Sequence, residues 1–286
     1  MAKTYPSMKS DEPKLKKIRT SFGPTSETPV GILWDSINYS CSYDSLFTIL
    51  CEIWIYNPKS WTKTFYSFGY KKAIRGLETL ENVRNDVRET LKQENSYLFP
   101  SGQTGTDIHD LLSYFFTSHH NINLGYCRIS CNTCNFFQNM DDPPERVMSI
   151  LDGTYNSPWE EPSICDCGSP MATYRIYDQP PSLLVFSLNT TRVSISKTIC
   201  IKGSSGKFTV LQLRGIIYSG GFHFTSCIIT PGKEVWYHDG MVTKRNCIKK
   251  GHLTDFTEDS LKSSVEKNSS GESVEWQAVV VIYSKK

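Results

Sequence analysis

Apolar residues early in the chain recur with a helical period. Leu46, Ile49, Leu50 and Ile53 fall at i, i+3, i+4 and i+7, which predicts a helix from about Ser42 to about Tyr56, ended by Asn57-Pro58. A second helix is predicted over 71–93, where Ile74, Leu77, Leu80, Val83, Val87 and Leu91 recur among many charges. A third is predicted from Asp107 to His119, with Ile108, Leu111, Leu112, Phe115 and Phe116 on its apolar face and Thr106 or Asp107 as its cap. From Leu124 the texture changes. Runs rich in β-branched and aromatic residues at 124–130, 182–188, 192–201, 207–218, 222–230, 234–238 and 276–283 alternate with Gly, Pro, Asn and Ser, which predicts strands and turns. Residues 254–273 are polar and read as a loop or short helix. Helices first and a mostly antiparallel sheet afterwards define an α+β class. No internal repeat is visible.

Composition narrows the setting. With 286 residues, 38% of them hydrophobic, the chain can bury a substantial core, and none of its apolar runs reaches the length of a membrane span. Residues 1–29 are basic and rich in Lys, Ser, Thr and Pro, which reads as a disordered tail or, around Lys14, Lys16, Lys17 and Arg19, a nuclear-import patch. They contain no apolar leader, so the expected location is cytoplasmic, nuclear or both. The three N-x-S/T sequons, at Asn38, Asn189 and Asn268, are then chance matches. A net charge of +2 disfavours a nucleic-acid partner. Ten cysteines in a reducing compartment point to metal ligation, catalysis or burial rather than disulfides.

Cys41 sits where polar turn residues give way to the first helix. The unpaired N–H groups and positive dipole end of a helix stabilise a thiolate, so a cysteine placed there suits nucleophilic attack. Packing is the bland alternative, since unpaired cysteines are commonly buried. A base is supplied by residues 219–242, SGGFHFTSCIITPGKEVWYHDGMV, which read as a hairpin turning at Pro231-Gly232-Lys233. It carries His223 near one end and Asp239 near the other, and a carboxylate beside an imidazole fixes its tautomer and stabilises its charge. His238 alternates to the opposite face from Asp239. Gly220 and Gly221 leave room for a close backbone or substrate approach.

Cys131 and Cys134 form a C-x-x-C knuckle, and Cys165 and Cys167 a second, shorter pair about thirty residues on. Four thiolates on two turns suit tetrahedral Zn²⁺ as a structural ion, with Cys127 a substitute ligand, and a degenerate knuckle or a redox pair is the alternative. Cys51, Cys200, Cys227 and Cys247 lie isolated in apolar or strand-like stretches and read as packing residues.

In this order the parts resemble the ubiquitin-specific protease family of papain-like cysteine peptidases. NYSCSYDSLFTIL is similar to the family's N-T-C-Y-x-N-S-x-L-Q box, with Ser45 and Leu46 in register. G-T-D-I-H-D-L-L resembles its Q-Q-D-A-x-E-F-L segment, and GGFHFTSCII followed by VWYHDG resembles its G-H-Y-x-x-Y followed by W-Y-x-F-D-D. The closing EWQAVVVIYSKK resembles its final strand, A-Y-x-L-F-Y. The resemblance implies a helical thumb over 30–123, zinc-ribbon fingers over 124–180 and an antiparallel β palm over 181–286. It also implies an isopeptidase acting on conjugates of ubiquitin or a ubiquitin-like protein, with Cys41, His223 and Asp239 catalytic and Asp107, Gly220 and Gly221 along the substrate tail. Ser36 stands where the family places an oxyanion-stabilising Asn, and Asn38 stands nearer the cysteine. Either side chain, with the Cys41 N–H, is the expected oxyanion donor. Phe224 and Gly240 also depart from the pattern, which suggests a divergent branch. Two other readings stay open: an inactive binder of a ubiquitin-like protein, and a zinc-ribbon module for nucleic acid.

Overall fold

The computed structural model describes residues 28–58, 61, 80–116, 125–140, 147–150, 164–178, 180–188, 194–267 and 270–285. The tail before residue 28 with its basic patch, the predicted helical turns at 71–79 and 117–119, residues 192–193 and the sequons at Asn189 and Asn268 lie outside them. Helices α1 (Cys41–Tyr56), α2 (Leu80–Glu94) and α3 (Ile108–Phe116) come first. The strands follow: β1 (Gly125–Ser130), β2 (Phe137–Met140), β3 (Val147–Ile150), β4 (Ala172–Tyr177), β5 (Leu183–Leu188), β6 (Thr198–Gly203), β7 (Phe208–Gly220), β8 (His223–Ile229), β9 (Glu234–His238), β10 (Ile248–His252), β11 (Ser263–Lys267) and β12 (Ser273–Ser284).

All twelve strands join one sheet, whose main path runs β10-β9-β8-β7-β6-β4-β1-β2. β7 holds it together. Its 13 residues pair with β6 over Phe208–Gln212, with β12 over Gln212–Ser219 and with β8 over Gly215–Gly220. The sheet is antiparallel apart from the β3–β5 and β4–β6 pairs.

Strand alternation sorts the core into two layers. Leu183 and Val185 of β5 and Val280 and Ile282 of β12 pack under the helices, against Leu46, Ile49, Ile53, Leu111 and Phe115. Their neighbours Leu184, Phe186, Val281 and Tyr283 pack on the other face with Ile195, Leu253 and Leu261. Strands buried on both faces need no polar alternation, which is why β5 and β12 read as continuous apolar runs.

The strands that sequence periodicity passes over are β2, β3, β4, β10 and β11. β2, β10 and β11 lie at margins of the sheet and carry FQNM, IKKGH and SSVEK. A marginal strand is kept soluble by charge and polarity, so the apolar signal is missing where the backbone is nonetheless paired. β11 and the 3₁₀ turn Leu253–Asp255 occupy the polar stretch expected to be a loop or short helix.

Helix α1 lies directly on β7 and β8. A Cβ at Gly215 would stand 2.4 Å from Ile49 Cγ2, so the helix reaches this depth only because β7 has glycine at the crossing. Ile49 is completely buried and has nowhere to retreat. Gly215→Ala is expected to cost about 1–3 kcal/mol through overpacking, read as a lower urea midpoint at unchanged slope.

Candidate active site and metal centre

Cys41 is the first residue of α1. Its N-cap, Ser40, makes no side-chain capping bond, because the Ser40 hydroxyl is committed elsewhere. The helix therefore presents early N–H groups beside the thiol. Cys41, 7% exposed, acts on the His223 imidazole and raises its affinity for a proton. His223 Nε2 lies 2.9 Å from Asp239 Oδ1. The structure thus brings the three side chains named from the sequence into one neighbourhood.

The hairpin presents its two residues in different ways. The β8–β9 ladder ends at Ser226↔His238, so Asp239 follows the strand and opens a turn. There its Oδ1 also accepts the Met241 N–H at 2.8 Å and the Val242 N–H at 3.3 Å. Burial works against charge at both partners and is overcome at both. For Asp239, burial raises the carboxyl, but the His223 bond and charge and the two N–H groups hold it below the ordinary carboxylate value. For His223, burial lowers the imidazole, but the Asp239 and Cys41 contacts push it up to about 9.

His238 is held away from this cluster. It is buried, its Nε2 contacts the Lys244 carbonyl at 2.8 Å, and its ring fills the space that Gly31 leaves open. Two tryptophans pack edgewise on the His223 ring: Trp34, with centroids 6.4 Å apart, and Trp276, at 5.7 Å. Sequence reasoning missed both. The only signal was their position, one shortly before the cysteine box and one in the final strand.

The remaining candidates fall around this centre. Asn38 is fixed: its amide donates to Asp35 at 3.1 Å and its carbonyl accepts the Gly102 N–H at 3.0 Å. Ser36 is exposed in the same turn. Asp107 is exposed, and its carboxylate accepts the His109 N–H at 2.7 Å, at the start of α3. Gly220 pairs with His223 across β7–β8, and a Cβ there would come 2.9 Å from the Trp276 ring, so Trp276 fills that space. Gly221 and Phe222 form the two-residue turn between them, with φ of 56° and 62°, as a primed hairpin turn requires. Phe222 is fully exposed at the tip.

A polar network under the thiol had no counterpart in the sequence reading. Asp44, buried in the first turn of α1, accepts Arg84 Nη1 of α2 at 2.8 Å and the Ser40 hydroxyl at 2.6 Å. Burial pushes the Asp44 carboxyl up to about 7, against the opposing pull of Arg84, Ser40 and His223. The available signal was an aspartate inside an apolar helix, which demands a partner.

The four cysteines meet at the other end of the sheet. The β1–β4 ladder closes at Ser130↔Ala172, which brings the turn after β1 to the turn before β4. Each second cysteine is followed by a left-handed residue, Asn135 with φ 58° and Gly168 with φ 80°. Each turn is tied back by its first cysteine, with Cys131 N–H donating to the Phe136 carbonyl and Cys165 N–H to the Ser169 carbonyl. The Sγ atoms of Cys131, Cys134, Cys165 and Cys167 all lie within 4.8 Å of one another, with 3.5 Å between Cys131 and Cys167 and 3.6 Å between Cys134 and Cys165. Thiolates bound tetrahedrally at about 2.3 Å stand about 3.8 Å apart, so the set fits one metal ion. The Cys127 alternative rests on a side chain outside the described ones. Of the cysteines read as packing residues, Cys227 and Cys247 are buried, Cys51 is half-buried and Cys200 is exposed.

No family model and no curated protein matches the chain. Among solved structures it is similar to the SAGA DUB module of Ubp8, Sgf11, Sus1 and Sgf73 bound to monoubiquitin, at 13% identity and a TM-score of 0.51 over 96% of this chain and 75% of that one. It is also similar to a yeast SAGA DUB module carrying an Sgf73 mutant (11%, TM-score 0.46, 96% and 73%). A third similarity is to the MERS coronavirus papain like protease (10%, TM-score 0.46, 89% and 65%). The first of these shows a shared fold. The architecture is α+β: a small helical region, a large sheet and a four-cysteine cluster. No described helix is long and apolar enough to cross a membrane.

The raised His223 value means that folding favours the imidazolium. That stabilisation is complete below pH 6.5 and is lost as pH rises through about 9. The contribution of Asp239 runs the other way: present above the ordinary carboxylate value, it is lost as pH falls through the depressed folded one. An NMR titration of the His223 ring should find its midpoint near 9 in the native chain. In Asp239→Asn the midpoint should fall by about one pH unit or more.

Proposed function

We propose that the chain is a thiol-dependent isopeptidase that cleaves after the C-terminal glycine of ubiquitin or a ubiquitin-like modifier. The observation that carries this reading is one imidazole shared between a thiol at a helix N-terminus and a buried carboxylate. The fold shared with a protease module solved with monoubiquitin agrees with it. Cys41 attacks the carbonyl carbon as thiolate. His223 takes the thiol proton and later gives it to the leaving lysine amine, while Asp239 orients the ring and stabilises its charge. Nε2 is engaged by Asp239, so the ring works through Nδ1.

The oxyanion is met by N–H groups at the start of α1 and by the 36–41 turn. Asn38 suits this role better than Ser36, because its amide is already oriented and uses one of its two hydrogens on Asp35. The modifier's extended tail runs past Asp107 and the rim at Gly220-Gly221, where the small Gly221 and the strained turn keep the approach low. Water then releases the acyl-enzyme. The ion held by Cys131, Cys134, Cys165 and Cys167 is Zn²⁺, in a structural role remote from the chemistry.

Suicide probes bearing ubiquitin, SUMO-like and other modifiers at an electrophilic C-terminus test the reading. Folded chain should be labelled at Cys41 by at least one of them, and Cys41→Ala by none. His223→Ala should slow turnover by about 10²–10⁴-fold, the usual worth of a general base. Tight binding of a modifier without labelling or turnover would instead favour an inactive binder.

Metal analysis is expected to find about one zinc per chain. Cys131→Ser should release it and lower stability, and zinc absent from intact native protein would remove this part of the reading.

A further inference from the structure

Helix α2 turns a polar stripe toward the segment that leads into Cys41. Glu81, Arg84, Asn85 and Arg88 recur at i, i+3, i+4 and i+7. Glu81 accepts the Leu33 N–H at 3.1 Å and is paired with Arg245, beyond Asp239. Arg88 meets Asp35 at 3.0 Å, whose carboxylate caps the turn by accepting the Ile37 and Asn38 N–H groups. Arg84 reaches furthest in. Its Nη1 contacts the Leu33 carbonyl at 2.6 Å, the Ser40 hydroxyl at 3.1 Å and Asp44 Oδ1 at 2.8 Å. The Ser40 oxygen also accepts the Asp35 N–H at 2.8 Å. One cation thus ties the two ends of the turn, Leu33 and Ser40, to the helix that carries the thiol. The turn needs holding, because Tyr39 within it has φ 27°, a sparsely populated value for a non-glycine residue.

We propose that Arg84 is a positioning residue for the Cys41 thiol, pinning the turn that delivers it to the first turn of α1. This rests on the assignment of Cys41 as nucleophile. The Arg84 and Asp44 side chains are 4% and 3% exposed, so water does not screen the pair. His223 of β8 and Asp239 after β9 form the neighbouring ion pair, and Arg88 pairs with Asp35 across the turn. Burial already holds the Asp44 carboxyl at about 7 with Arg84 beside it, so without Arg84 it would take up a proton, and the Leu33 carbonyl and Ser40 hydroxyl would lose the group that ties them to α1.

The test is the rate at which iodoacetamide alkylates Cys41 at pH 7, resolved from the other cysteines by peptide mass mapping, together with kcat and KM on any substrate the native chain turns over. Arg84→Met should slow alkylation by about tenfold or more, because the turn that delivers the thiol is no longer pinned. It should lower kcat with little change in KM. Arg84→Lys keeps a cation with donors for the same acceptors and should stay within about threefold of the native rate. Asp44→Asn leaves Arg84 its contacts with Leu33 and Ser40 and should stay within about threefold of the native rate, and adding it to Arg84→Met should not recover the loss. Native reactivity in Arg84→Met, recovery of the loss in the double variant, or a change confined to KM would each overturn the proposal. If Arg84→Met does not fold, Asp44→Asn and Arg84→Lys decide: a tenfold loss in either contradicts the pinning account. Native chain alkylated at Cys41 but ignored by every modifier probe would defeat the isopeptidase reading alone, leaving Arg84 to be judged from the alkylation rates.

Discussion

The depth at which α1 rests on β7 and β8 sets the geometry of everything else. Thirteen residues of this helix are buried, including its first ten, so it behaves as a core element. Cys41 is fixed to its first turn, and His223 is fixed to the first position of β8. The meeting of thiol and imidazole is therefore a consequence of how closely the helix and sheet approach. Gly215 permits that approach and Ile49 fills it. A helix held farther out would keep the same three residues, in the same order along the chain, and separate the thiol from the imidazole.

Packing fixes depth but leaves a helix free to slide or turn about its axis, and here buried charges restrain it. Two acidic residues interrupt the apolar surface of α1. Asp44 meets Arg84 of α2 near the N-terminal end, and Glu52 feels the charge of Arg214 of β7 near the other. Burial pushes both carboxyls up to about 7. Pairs like these add little net stability, since the desolvation of both partners offsets their attraction. They make every other placement of the helix worse, because a shifted helix would leave a polar group in the core without its partner. The arrangement thus favours one register at a cost in stability, in keeping with a site that needs its thiol in one place.

The residues of the candidate site could be picked out in the sequence by local signals, and the scaffold only in part. α1, the β8–β9 hairpin and the four cysteines announce themselves locally, through apolar spacing, a Pro-Gly turn and paired knuckles. Strands buried on both faces, such as β5 and β12, announce themselves too, because burial on both sides selects an apolar run. β10 and β11 do not: their lysines, serines and glutamate suit a sheet margin and mimic a loop. The contacts of Arg84 were invisible for a different reason. A charged residue beside Val83 on an amphipathic helix looks like part of a solvated face, and only the fold shows it turned inward with 3% of its surface exposed. Trp34, Trp276 and the filling of the Gly220 space are likewise products of tertiary approach between distant segments, for which one sequence carries no local pattern.

The two ends of the sheet are held by different physics. Around β5, β7, β8 and β12 two apolar layers clamp the strands, and no cross-link is needed. Beyond β6 the layers run out: residues 132–139 are exposed, including Phe136 and Phe137, and β4 meets β6 through only two register pairs. A strand pair with so little to bury is marginal in water. The four thiols lie just where that deficit falls, in the turns flanking β1 and β4, so an ion bound there would close a loop that apolar contact does not. The chain thus fixes its helix-and-sheet end by buried surface, and places at its outlying strands four thiols that fit a metal ion. On that division, stripping a metal bound there should loosen the β1–β2–β4 end while the Cys41–His223–Asp239 geometry, anchored to the other end, persists.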